Sequence, residues 1–266
     1  MTRTVPKGLA PILENLELNQ PRIVTLEQIA CIVDEVNLRA PPALIAYRLR
    51  ERGWLLDTGL RGAWEFAPAA NAGPQSRGGP LLPLLAALAL RPGLPAAVAL
   101  GSAAWAHGLV DRAPRPLELA VIPDSSLPAG LKRRARIVLF KSRLDPVRKR
   151  GVPVQRLETL LVHMAARPLH VASWGAAAEW LSDVAAEAEQ AGISQELEDR
   201  PRAVRIRLAY LVAGVWPDLA ERLGDGVRST VWFGPRKKLR RHSQKWHVAD
   251  SLLPFDPSRL PPVRDT

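Results

Sequence analysis

Leu9, Ile12, Leu13 and Leu16 stand three and four residues apart, the spacing of one helical face, and predict a helix over residues 7–18. A short extended stretch, 22–25, follows. Thr25-Leu26-Glu27-Gln28 then has the form of a capping box, in which the threonine hydroxyl and the glutamine side chain satisfy amides left free at a helix start. The helix it opens carries Leu26, Ile29, Ala30, Val33 and Val36 on one face. A break over 37–40 leads to Pro41-Pro42, which suit a first helical turn because its amides lack intrahelical partners. A third helix over 41–52 stops at Gly53. Its Ile45 and Leu49 point inward and Trp54 closes the core, while Ala43, Ala46, Tyr47 and Arg50 take the opposite side and Arg48 a flank. Beyond it, 54–56 and 63–66 are β-prone segments around Thr58-Gly59-Leu60-Arg61-Gly62, a hairpin with a glycine-containing turn.

Helix, short strand, helix, turn, helix and hairpin is the order of a winged helix-turn-helix, whose third helix enters the major groove and whose wing touches the flanking backbone. Arg50 and Tyr47 can reach base edges or phosphates, small residues such as Ala43 let the helix approach closely, Arg39 and Arg61 suit phosphate contact, and Arg48 on the flank completes the expected DNA-binding set. Three helices and a hairpin also serve as protein-interaction modules. The pattern is lost over 67–80, APAANAGPQSRGGP, which has neither helical nor alternating periodicity. The expected organisation is a winged-helix domain over 1–68, a linker over 69–80, a larger mixed α/β domain over 81–256 and a frayed tail over 257–266. In the larger domain, 97–100, 117–122 and 136–140 predict strands, and 101–109 a short apolar helix. Amphipathic helices are expected over 156–166, 174–190 and 195–213, with strands returning over 229–233 and 246–253. The class is α+β.

Composition bounds the function. Apolar residues make up 47% of the 266, enough for a packed core. Cys31 is the lone cysteine, so no intrachain disulfide forms, which fits a reducing, cytoplasmic setting. The N-terminal stretch lacks the long apolar core of a targeting segment. The longest charge-free run, 92–110, is nineteen residues, but two prolines, three glycines, a serine and a histidine interrupt it, so no membrane span is expected.

The net charge of +11 favours a polyanionic partner and is unevenly placed. Residues 1–70 are neutral, 71–150 carry +9, 151–220 carry −3 and 221–266 carry +5. Two tracts dominate. One runs over 132–150 and includes Lys132, Arg133, Arg134 and Arg136; the other holds Arg236, Lys237, Lys238, Arg240 and Arg241. Both are expected to form a secondary basic surface, either solvated or facing phosphate.

Catalytic chemistry finds little purchase. Gly101-Ser102 has the Gly-Ser turn of a nucleotidyltransferase, but the paired carboxylates that would hold magnesium do not follow. Glu118 is not followed by the lysine of a restriction-type nuclease. His107 has only Asp111 near it, and His163, His170, His242 and His247 lack metal-ligand spacing. No phosphate-binding glycine loop is present. No cofactor, no metal and no enzymatic activity are expected.

The segment GSAAWAHGLVDRAPRPLELAV at 101–121 resembles the S-A-A-x-x-H-G-L segment and following strand of AbiEi-type antitoxins. RERGWLL and GAWEFAP resemble the winged helix of that family, LETLLVHMAARP its mid-chain helix, and WFGPRKK with KWHVADSLLP its C-terminal end. The resemblance spans nearly the whole chain and is similar in order as well as in motif. It implies an antitoxin of a type IV toxin–antitoxin system. The N-terminal winged helix would bind inverted repeats in double-stranded DNA of its own promoter and repress it. The C-terminal domain would counteract a partner nucleotidyltransferase toxin, with or without touching it.

Overall fold

In the computed structural model, residues 5, 7–71, 75–226 and 229–261 are described. The chain divides into two compact units, one of Met1–Pro95 with Ser125–Ala135, the other of Ala96–Asp124 with Arg136–Thr266.

The first unit opens with α1 (Ala10–Asn19), β1 (Ile23–Thr25), α2 (Leu26–Glu35), α3 (Pro42–Glu51), β2 (Leu55–Asp57) and β3 (Ala63–Phe66). The capping box at the start of α2 is made in full: Gln28 N donates to Thr25 Oγ1 at 3.2 Å and Thr25 N to Gln28 Oε1 at 2.8 Å. The strands form an antiparallel sheet in the order β1-β3-β2. The apolar stripes converge as their spacing requires: Ile12, Leu16, Val24, Ile29, Val33, Ile45, Leu49, Trp54 and Phe66 share one buried cluster. Ala46, expected on the outer side of α3, is buried in that cluster too, because it stands three residues before Leu49 and so shares its face of the helix.

Two further pieces complete this unit. One is α4 (Leu82–Leu90), apolar on nearly every side, which packs on β1 and β3 through Leu84, Ala86 and Ala87. The other is α6 (Ala129–Lys132), a single turn. Thus 81–95 and 125–135, assigned by the sequence reading to the larger domain, pack with the smaller one. The stretch read as a linker is tied down where it is described, while residues 72–74 lie outside the described residues. Glu65 is buried on β3, and its carboxylate needs donors. It finds them in the Ser76 hydroxyl and in Arg77 N, the latter at 3.0 Å, while Arg22 Nη2 donates to Gly78 O at 2.9 Å.

The second unit is built on a five-stranded sheet of β4 (Ala96–Val98), β5 (Leu117–Val121), β6 (Ala135–Leu139), β7 (Val147–Lys149) and β8 (Val152–Val154), in the order β6-β5-β4-β8-β7. β4 runs antiparallel to β5 and parallel to β8. β7 and β8 form a tight hairpin over Arg150-Gly151, both at positive φ (+52° and +81°), the turn whose twist suits a two-residue hairpin loop. α5 (Leu100–His107) follows β4. The almost wholly buried α7 (Leu157–Ala166) follows β8 and is surrounded by α5, α8 (Trp174–Glu187), α9 (Gln190–Glu196) and α10 (Arg202–Leu211).

The single helix expected over 195–213 is two, α9 and α10, because Pro201 has no amide to donate and disfavours helical backbone at Arg200. After α11 (Pro217–Gly224), a small sheet of β9 (Val231–Phe233), β10 (Arg241–Ser243) and β11 (Val248–Asp250) takes the order β10-β11-β9, with β11 parallel to β9. The tail expected to fray from 257 is ordered as far as Leu260: Asp256 caps a short 3-10 turn at Pro257–Arg259, and Gly214 lies so close to the Pro257 and Leu260 backbone that a Cβ there would overlap it. Residues 262–266 lie outside the described residues. No helix among the described residues is long and apolar enough to cross a membrane.

Candidate nucleic-acid interface

α3 is amphipathic by construction. Ile45, Ala46 and Leu49 anchor it inward, which leaves Ala43, Tyr47, Arg48 and Arg50 exposed, with Arg39 exposed just before it. Tyr47 keeps 56% of its surface and its neighbour Leu44 39%. No carboxylate lies within ion-pairing distance of Arg39, Arg48, Arg50 or Arg61 among the described residues. These guanidiniums are available to an external anion.

Arg61 sits on the β2–β3 turn, which is rigid. Gly59 N donates to Asp57 Oδ1 at 2.9 Å, the Thr58 hydroxyl donates to Ala63 O at 2.8 Å, and Leu60 N donates to Thr58 Oγ1 at 3.3 Å. Gly59 adopts φ +81°, a conformation that favours glycine. The turn is covered by α6 from the same unit. A Cβ at Gly130 would overlap the Gly59 carbonyl oxygen, and the Arg134 guanidinium lies directly against Gly59. Lys132, Arg133 and Arg134, all exposed, therefore belong to the first unit and not to the second, with Arg134 beside the hairpin turn.

The remaining members of the expected secondary basic surface separate. Arg236, Lys237, Lys238 and Arg240 are exposed in the loop after β9. Arg136 and Arg241 turn inward and are spent on internal carboxylates. Arg136 Nη1 meets Glu118 Oε1 at 2.8 Å and also donates to His170 O. Arg241 Nη1 meets Asp250 Oδ2 at 3.1 Å, and the Tyr210 hydroxyl donates to the same oxygen at 3.0 Å. Burial pushes the Tyr210 phenol up, and the Asp250 charge holds it there against the opposing Arg241. Both arginines lie at strand positions facing a buried acid, which a run of basic letters does not reveal.

In the second unit, three of the five histidines form one chain through Gln155. His107 Nε2 bonds Gln155 O at 2.8 Å, the Gln155 amide bonds His163 Nδ1, and His163 Nε2 meets His170 Nδ1 at 3.0 Å. Burial holds His163 well below its usual range, helped by His170, Arg200, Arg167 and Arg136 nearby, so the ring is neutral. Glu118, buried on β5, is pushed up by burial and pulled back by Arg136 and by the amides of Ser102 and Gly101. No cluster of three or more histidine, cysteine or acidic side chains that could hold a metal is found among the described residues.

Comparison with known proteins bears on the second unit first. Residues 96–213 match the model of the AbiEi antitoxin C-terminal domain. The chain carries an AbiEi antitoxin domain. The match includes the 101–121 and 157–168 motifs singled out above, and it runs through α6, which packs with the first unit. The crystal structure of the RV2827C protein from Mycobacterium tuberculosis superposes with a TM-score of 0.78 at 25% identity, covering 95% of this chain and 94% of that one. No curated protein matches this AbiEi-domain chain.

Proposed function

We propose that this AbiEi-domain protein is the antitoxin of a type IV toxin–antitoxin system and a DNA-binding autorepressor. The observation that carries the reading is the outer face of α3, where Tyr47, Arg48 and Arg50 stand exposed and unpaired beside Arg39, on a unit whose element order is that of a winged helix-turn-helix. In this reading α3 lies in the major groove, Arg50 and Tyr47 address base edges, and Arg39, Arg48 and Arg61 hold phosphates. The antitoxin domain implies a toxin as counterpart, and a nucleotidyltransferase is the proposed identity.

The test is a gel-shift titration of the full chain against DNA from upstream of its own gene and against unrelated DNA, at several salt concentrations. Arg50→Ala and Tyr47→Ala should each cost about 1–3 kcal/mol of specific binding and leave non-specific binding nearly unchanged. Equal affinity for both DNAs would sink sequence-specific reading. A second reading is favoured by the exposed Leu44 beside Tyr47: α3 docks on the toxin itself. Co-purification of the toxin with the wild-type chain but not with Leu44→Asp, together with normal DNA binding by Tyr47→Ala, would select it.

A further inference from the structure

Three segments of the second unit far apart in sequence bring cations to one hollow. Lys141 follows β6, Arg167 ends α7, and Arg207 comes from the middle of α10, with Arg200 just ahead of it. They line a cavity of about 390 Å³ whose wall also includes Phe140 and Pro201 and no acidic residue. A second hollow of about 270 Å³ shares Arg167 and Arg207 and reaches His170.

The cations differ in how far they are spent. Arg200 is anchored: it pairs with buried Glu196, donates to Lys141 O at 3.0 Å and lies over the Phe140 ring at 4.6 Å. Arg207 is half-buried, and among the described residues its side chain makes one bond, from Nε to the carbonyl of Trp232 at 2.7 Å, which leaves its outer nitrogens without a partner there. The side chains of Lys141 and Arg167 make no hydrogen bond or ion pair among the described residues. Arg207 is held below its ordinary value by burial and by Arg167, the signature of cations crowded without counter-charge. Converging guanidiniums in a concave, partly dry site suit a multiply charged oxyanion, because each can present paired N–H donors to phosphate oxygens.

The geometry points to a polyphosphate-binding pocket in the AbiEi domain, formed by Lys141, Arg167 and Arg207, that takes the di- or triphosphate of a free nucleotide. The concavity favours a small ligand over a duplex, whose backbone presents a convex surface. Both faces of Phe140 are already taken, by the stacked His163 ring at 3.9 Å and by Arg200, so the pocket selects for phosphate and not for the base. It does not depend on DNA reading by α3.

The test is isothermal titration calorimetry of the full chain at low salt with inorganic pyrophosphate, with ATP and with a short single-stranded oligonucleotide. Arg167→Gln is the primary variant, because that side chain holds nothing inside the protein. Lys141→Gln is the second, and Lys237→Gln, in the loop after β9, is the control. Pyrophosphate and ATP should bind, Arg167→Gln and Lys141→Gln should each weaken both about tenfold, and Lys237→Gln should leave them unchanged. Absence of pyrophosphate and ATP binding, or binding weakened equally by Lys237→Gln, overturns the pocket. Binding of the oligonucleotide alone, lost in Arg167→Gln, overturns the free nucleotide and assigns the site to a nucleic-acid strand. None of these outcomes bears on gel-shift behaviour of Arg50→Ala.

Discussion

His163 has no exposed surface, stacks on Phe140 and shares hydrogen bonds with Gln155 and His170. Its neutrality follows from burial first, then from the positive groups around it, and His170 is lowered for the same reasons. An imidazole depressed in the folded state binds fewer protons there than in the unfolded chain. Its stabilising contribution is therefore full above its unfolded value near pH 6.5 and is lost as the pH falls. Glu118 works in the opposite sense, since its raised carboxyl favours the folded state below its ordinary value of 4.5. The window that shows the imidazoles begins near pH 7 and runs down through their ordinary value of 6.5. Over it, stability should fall with a slope approaching about 1.4 kcal/mol per pH unit for one fully coupled group. His163→Gln keeps an amide facing Gln155 and should flatten that slope, read as melting temperature against pH by circular dichroism. Identical slopes in the two proteins would show that His163 does not titrate on unfolding.

At the scale of elements, local chemistry and non-local packing part company. The α2 capping box, the glycine stop of α3 and the hairpin turn are written in neighbouring residues, and each forms where the sequence places it. What the chain does not announce is a partner far along it. α6 is one turn long, too short for periodicity, and its place on the β2–β3 turn rests on Gly130 letting the Gly59 carbonyl approach. The fastening of 76–79 depends on a carboxylate of β3, and α4 carries an unbroken apolar run with no polar face to orient it. Of the pocket cations, Arg167 and Arg207 stand outside the charge runs, and Lys141 lies inside one with nothing in the run to set it apart. The α6 contact has a direct consequence. Gly130→Ala must push its methyl into backbone, which cannot rotate away, and should destabilise the first unit by about 1–3 kcal/mol. Gly175→Ala at the start of α8 meets only Ser173 Oγ at 3.9 Å and should be neutral or slightly stabilising. Urea denaturation of the two variants checks the pair, and a neutral Gly130→Ala would mean that α6 does not rest on the turn.

Over the whole molecule, the net charge of +11 changes meaning once it is divided by packing instead of by position in the chain. Residues 1–70 are neutral in sum, but the compact unit that contains them also holds Arg77, Arg91 and the α6 cations, and carries thirteen basic against eight acidic residues. The tract over 132–150 is therefore not one surface. Its first three cations belong to the first unit, with Arg134 against the turn that bears Arg61, Arg136 is consumed by Glu118, and Lys141 faces the pocket. If the first unit holds DNA through α3 and its turn, Lys132, Arg133 and Arg134 are placed to add phosphate contacts and no base contacts. Phosphates carry no sequence information, so the variant with all three changed to glutamine should lose affinity for operator and random DNA alike and keep their ratio. Each lost contact lowers the slope of log K against log salt by about 0.9, so the full loss approaches about 2.7. Changing Arg236, Lys237 and Lys238 together instead should leave the slope as it is, because that loop belongs to the other unit. The reverse result, a slope insensitive to α6 and sensitive to the loop after β9, would move the phosphate surface to the second unit and leave α3 without phosphate contacts from its own unit.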